Sequence, residues 1–185
     1  MDIIAVTPEN LDSAVHKAAR ILKAGGVVVA PTDTAYGFAA HGLQCDIFDK
    51  IFALKGRSHQ NPIHLIVRDL DGAAQIAHMN QQQRRALQHW LPGPLTFVLS
   101  RREIVPAQLV AGGTTIGIRI PNHPVTQRLS QLVAFPYTAT SANVSGRPAV
   151  YNIPDLLAQF PLTADIPLIL DYGQLPTGQL STVID

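Results

Sequence analysis

The chain has 185 residues, 46% hydrophobic and 15% charged, which suits one globular domain with a sizeable core and excludes a disordered polar chain. Its 14 Lys and Arg against 13 Asp and Glu leave a net charge of +1, so no global excess of charge points to nucleic acid, and any anion site must be a local cluster. Cys45 is the single cysteine. That excludes an intrachain disulfide and favours a reducing compartment; with no basic, apolar leader and no run near the ~18 apolar residues of a membrane span, the expected location is cytoplasmic.

In chain order, residues 3–6 predict a short strand. Thr7-Pro8-Glu9 predicts a helix start, with Thr7 as N-cap and Pro8 in the first helical position. Leu11, Val15, Ala18 and Leu22 recur at helical spacing until Gly25-Gly26 ends the run. The apolar run 27–30 predicts a buried strand, followed by a polar turn over 32–37. Ile47, Ile51 and Leu54 mark a second helix that ends near Lys55-Gly56-Arg57. A strand at 63–67, helices near 71–78 and 81–91, and strands at 96–99 and 115–120 come next. A helix at 124–133, a strand at 137–140 and a polar loop at 141–148 follow; segments 156–160, 167–170 and 182–184 complete the pattern. Alternating strands and helices with short connections argue for an α/β fold: a single domain over 1–185, built as an open twisted mixed sheet with flanking helices.

The chemistry concentrates in polar loops at strand and helix ends, where open α/β sheets bind ligands. Thr32-Asp33-Thr34-Ala35-Tyr36-Gly37 follows an apolar strand; its hydroxyls suit a small polar ligand, and equally suit an ordinary self-bonded turn. Lys55-Gly56-Arg57 with Asn61-Pro62 offers two cations for a polyphosphate, or merely favourable charge at a helix C-terminus. Thr115, Gly117 and Arg119 share one strand face and Ile116, Ile118 and Ile120 the other. Arg119 reads either as a carboxylate clamp or as a solvent-facing arginine on an edge strand. Residues 141–148, Ser-Ala-Asn-Val-Ser-Gly-Arg-Pro, can form an anion-binding nest or a generic loop. Ser181 and Thr182 add hydroxyls near the end of the chain. The sequence contains no G-x-x-x-x-G-K-[ST], G-x-G-x-x-G or G-x-S-x-G motif, and its scattered histidines show no zinc spacing, so no metal ligands are assigned.

Taken together and in order, segments 31–37, 55–62, 92–99, 116–124, 140–148 and 181–185 resemble the threonylcarbamoyl-AMP synthase family, the group with the YrdC-type fold. The resemblance implies a nucleotidyltransferase that joins L-threonine, bicarbonate or CO2, and ATP into threonylcarbamoyl-AMP and pyrophosphate. Downstream transfer proteins then pass the threonylcarbamoyl group to tRNA. It implies that Thr34, Arg119, Ser141 and Ser181 hold threonine, with Arg119 on the carboxylate and Thr32 and Tyr36 shaping the pocket. Arg57, Asn61, Thr115, Asn143 and Tyr151 would line the ATP site. Lys55 would face the phosphates, with Lys55 and Arg57 as the catalytic cations and Mg²⁺ arriving with the nucleotide. Two departures stand out. Relatives often carry a His two positions later than His64, a displacement that keeps the same strand face. Many relatives also continue past the Ser-Thr-Val-Ile-Asp ending into another strand, some into a further domain. Three rival readings are a double-stranded RNA or tRNA-binding module using Arg57, Arg84, Arg85, Arg101, Arg102, Arg119 and Arg147, a YciO-like paralogue with another role, and a binding protein without turnover. The intact Ser141-Ala142-Asn143 favours the synthase over the paralogue.

Overall fold

A computed structural model of the chain describes residues 1–56, 60–161, 165–178 and 180–185. The strands are β1 (Asp2–Ala5), β2 (Val28–Pro31), β3 (Tyr36–Ala39), β4 (His64–Ile66), β5 (Leu95–Ser100), β6 (Thr115–Arg119), β7 (Tyr137–Ser141), β8 (Leu168–Asp171) and β9 (Thr182–Ile184). The helices are α1 (Leu11–Lys23), α2 (Cys45–Lys55), α3 (Leu70–Ile76), α4 (Gln81–Trp90), α5 (Pro124–Val133) and α6 (Ile153–Gln159). Among the described residues the strands form one nine-stranded sheet in the order β1-β8-β2-β3-β7-β4-β6-β5-β9. Parallel pairs (β1 with β8, β4 with β6, β5 with β9) mix with antiparallel ones (β2 with β3, β3 with β7, β5 with β6). No helix among the described residues is long and apolar enough to cross a membrane.

Strand alternation sorts the apolar side chains onto two faces. On one, Val29, Phe38, Leu65, Phe97, Leu99, Ile116 and Ile118 pack with Ile47, Phe48 and Ile51 of α2, Ile76 of α3, Leu87 of α4 and Leu156 of α6. On the other, Val28, Ala39, Ile66, Tyr137 and Leu168 pack with Val15, Ala18 and Leu22 of α1 and Val125, Leu129 and Val133 of α5. This second cluster takes no residue from β5, β6 or β9. Helices therefore cover that face at one end of the sheet and leave it uncovered at the other.

Two local expectations need correction. Helix α1 starts at Leu11 with Asn10 before it, not at Thr7-Pro8. The Asn10 side chain accepts from the Thr7 amide at 2.8 Å and donates to the Ala5 carbonyl at 2.8 Å, which holds residues 7–10 in a turn. The polar turn after β2 is also shorter than predicted, because Tyr36 and Gly37 already belong to β3. Thr32 Oγ1 accepts from the amides of Thr34 (3.1 Å) and Ala35 (3.2 Å), so the chain reverses early and pairs Pro31 with Tyr36.

Candidate active site

The middle of the sheet, at β3, β7, β4 and β6, floors a cavity of about 330 Å³, near the lower end of the ~300–1,000 Å³ common for small-ligand sites. Its floor carries small or polar side chains: Gly37 of β3, Ala139 and Ser141 of β7, His64 of β4 and Arg119 of β6. Thr32 and Thr34 wall one side; Ser181 and Val183, next to and within β9, wall another. The expected threonine residues Thr32, Thr34, Tyr36, Arg119, Ser141 and Ser181 thus all line one cavity.

Arg119 is its charged centre. β6 lies between β4 and β5, so Arg119 is on an interior strand rather than an edge. Its side chain is 8% exposed. Nη2 donates to Asp33 Oδ1 at 2.8 Å and Nη1 to Thr34 Oγ1 at 3.3 Å. The other Asp33 oxygen accepts from the Asn122 amide at 2.9 Å. Burial lowers the Arg119 pKa and Asp33 opposes that shift. Nε is buried and has no partner among the described residues; an unspent buried donor of this kind needs an explanation, and a bound ligand supplies one. Asp33 was not singled out from sequence. The available signal was a carboxylate set between two threonines, in a chain whose buried strand arginine needs a counter-ion.

Ser181 is anchored by Thr96 of β5, the hydroxyls lying 2.7 Å apart. The segment leading to Ser181 is held by two tyrosines. Tyr36 donates to the Gly173 carbonyl at 2.8 Å and Tyr151 to the Gly178 carbonyl at 2.7 Å. Burial, with Asp171 nearby, pushes the Tyr36 phenol up to about 12. Tyr36 therefore shapes the site while its hydroxyl is committed to the chain behind it.

The residues expected around ATP are more dispersed. Gly56, in the left-handed region at φ 55°, ends α2 directly after Lys55. Lys55 is 3% exposed and points into the Ser141–Asn143 loop. Nζ donates to the Ser141 carbonyl, to the Asn143 carbonyl at 3.0 Å and to Asn143 Oδ1 at 3.3 Å. Asn143 Nδ2 in turn donates to the carbonyls of Val144 (3.0 Å) and Arg147 (2.7 Å). These two side chains build the loop that presents Ser141. Asn61 is exposed beside Pro62, which lines the cavity. Thr115 is exposed at the opposite end of β6 from Arg119, and Tyr151 is half-buried; neither lines the cavity. Arg57 lies outside the described residues. Of the remaining arginines proposed for an RNA face, Arg84 pairs with Asp71 at 2.9 Å, while Arg101 and Arg102 donate to the carbonyls of Gly113 and Ala74.

Hydroxyls, one buried guanidinium and a built polar loop thus surround one cavity in a mixed-sheet α/β domain. Comparison with known proteins identifies the family. The Sua5/YciO/YrdC family, described as "Telomere recombination", matches residues 20–185, and the chain belongs to this family. The threonylcarbamoyl-AMP synthase of Pyrococcus abyssi is 32% identical over 187 residues, covering 100% of this chain and 54% of the relative; the chain spans about half that protein's length. The crystal structure of P. abyssi Sua5 complexed with L-threonine matches with a TM-score of 0.94 at 31% identity, over 100% of this chain and 54% of that one. Escherichia coli YciO shares the fold, with a TM-score of 0.84 at 24% identity over 99% of this chain and 87% of that one.

Proposed function

We propose that this chain is a cytoplasmic L-threonylcarbamoyladenylate synthase. It joins L-threonine, CO2 or bicarbonate, and ATP into threonylcarbamoyl-AMP and pyrophosphate, and its product serves transfer proteins that modify tRNA. The observation that carries this reading is the buried Arg119, with an unspent Nε, grouped with the hydroxyl residues Thr34, Ser141 and Ser181 around one cavity. A guanidinium matches a carboxylate by charge and planarity, and hydroxyls match the polar side chain of threonine. A chemical nucleophile on the protein is not needed. The substrate amine forms the carbamate, a carbamate oxygen attacks the α-phosphorus, and pyrophosphate leaves; positioning and fixed positive charge supply the catalysis.

Asn61 and Arg57 would keep the ATP-binding roles that the family resemblance implies. Lys55 and Asn143 would act by fixing the Ser141 loop, and Thr115 and Tyr151 would contribute only from the periphery. Mg²⁺ would arrive with the nucleotide and neutralise its phosphates.

Pyrophosphate release, measured with threonine, bicarbonate or ATP omitted in turn, tests the proposal. Release should require all three. Release that proceeds without threonine contradicts it.

A further inference from the structure

Strand β5 places Thr96 between two strands that line the cavity. Across β5–β9 its partner is Val183. In the antiparallel β5–β6 register Phe97 faces Ile118, so Thr96 falls opposite Arg119. A Cβ built on Gly117 would lie 2.9 Å from Thr96 Cγ2, which puts the Thr96 side chain on the same sheet face as Gly117 and Arg119. Thr96 is 0% exposed and does not itself line the cavity; Ser181, which sits over it, does.

A hydroxyl carries one hydrogen and two lone pairs. Among the described residues the Thr96 hydroxyl has one hydrogen-bond partner, Ser181 Oγ at 2.7 Å. Distance alone allows either oxygen to give the hydrogen, and burial decides between them. With Ser181 as donor, the Thr96 hydrogen would be shut inside the sheet with no acceptor, an arrangement that native structures avoid. Ser181 is half-buried at the cavity wall, so its own hydrogen still reaches the cavity. Thr96 therefore donates and Ser181 Oγ accepts. The Ser181 hydrogen then cannot lie along the line to Thr96, and it has no acceptor on the protein among the described residues.

We propose that Thr96 is a positioning residue: by donating to Ser181 it makes the Ser181 hydroxyl a directed hydrogen-bond donor to an oxygen of the amino-acid substrate. The inference rests on the synthase reading above. No proton is transferred; the buried hydroxyl of β5 fixes which way the hydroxyl at the cavity wall points before substrate arrives. A donor held in place in this way needs no reordering when substrate binds, which favours affinity. Ser181 and Arg119 then act from the same side of the cavity, one as an oriented neutral donor and the other as the cation.

The test is threonine-dependent pyrophosphate release, with threonine and ATP each varied, for the wild type, Thr96→Val, Thr96→Ser, Ser181→Ala and the double variant Thr96→Val/Ser181→Ala. Valine keeps the branched shape and removes the hydroxyl; serine keeps the hydroxyl. Thr96→Val should raise KM for threonine about tenfold, the scale of one net hydrogen bond, with KM for ATP unchanged. Thr96→Ser should restore the wild-type KM. In the Ser181→Ala background Thr96→Val should add no further loss, because the hydroxyl it positions is already gone. Thr96→Ala takes its place in the cycle where valine does not fold. An equal loss in both backgrounds, a loss shared by threonine and ATP, or an unchanged KM for threonine overturns the Thr96 assignment while leaving the synthase reading intact. Absence of threonine-dependent release from the wild type overturns both.

Discussion

A lysine near a proposed phosphate site invites a catalytic role, and Lys55 shows how burial redirects it. The ammonium lies 5.9 Å from the centre of the Phe38 ring and donates to loop carbonyls of Ser141 and Asn143. Its charge is therefore used to position Ser141, which lines the cavity. Lys55→Met keeps the approximate volume but leaves those acceptors buried without their donor. The expected cost is about 1–3 kcal/mol, and the melting temperature should fall by roughly 2–4 °C for each of those kcal/mol. Turnover should fall with it. Thermal unfolding followed by circular dichroism checks this: an unchanged melting temperature with lost turnover would return Lys55 to a direct role on the phosphates. The sequence showed Lys55 and Asn143 as polar residues near a ligand loop. It did not show that they bond each other, because that contact spans 88 residues.

At the scale of elements, helix α5 carries a second buried polar group beside the site. Its N-cap is His123, whose Nδ1 accepts from the Val125 amide at 3.3 Å, while Nε2 is buried without a partner among the described residues. Burial pulls the imidazole down to about 4, with Asp33 opposing. The folded state therefore keeps His123 neutral over a range in which the unfolded chain binds a proton. Stability should be fully present above about pH 6.5, the unfolded value, and should drain away as pH falls toward 4, by at most about 1.4 kcal/mol per pH unit. His123→Asn retains a capping side chain and removes the titration. Urea unfolding at pH 5 and 7 should show a smaller pH-dependent loss for this variant; His41, also shifted down by burial, preserves part of the slope. An identical loss in both proteins would contradict the assignment.

The elements also show where sequence reading works. Helix α5 occurs at the predicted 124–133 and β9 at 182–184, because Pro124 marks a first turn and the alternating terminal segment pairs with β5. Arg119 and the isoleucines of β6 fall on opposite faces, as strand alternation requires. Helix α1 starts later than the Thr7-Pro8 signal suggests because Asn10 bonds across the turn to Ala5 and Thr7, a pairing that no local propensity scale records. The site hydroxyl residues were recognisable through their ordered segments. Asp33 and Thr96 were not, since their importance depends on partners that only the sheet order brings near: Arg119 for one and Ser181 for the other.

Across the whole molecule, function follows from incomplete coverage of one sheet face. Helices α1 and α5 pack on one face of the sheet from β8 to β4; residues of β3, β7 and β4 that they leave open, with Arg119 of β6, form the floor of the cavity. Antiparallel pairing of β3 and β7 brings Gly37 opposite Ser141, and the parallel β4–β6 pair brings His64 and Arg119 onto the same floor. Six separate chain segments thereby converge on a site that needs no nucleotide-binding fingerprint. We propose that this site builds a carbamate on an amino acid and adenylates it. Incubation with ¹⁴C-bicarbonate, threonine and ATP, followed by mass identification of the labelled product, is the decisive measurement: label should appear in threonylcarbamoyl-AMP, and label absent from every threonine- and ATP-dependent product would contradict the proposal.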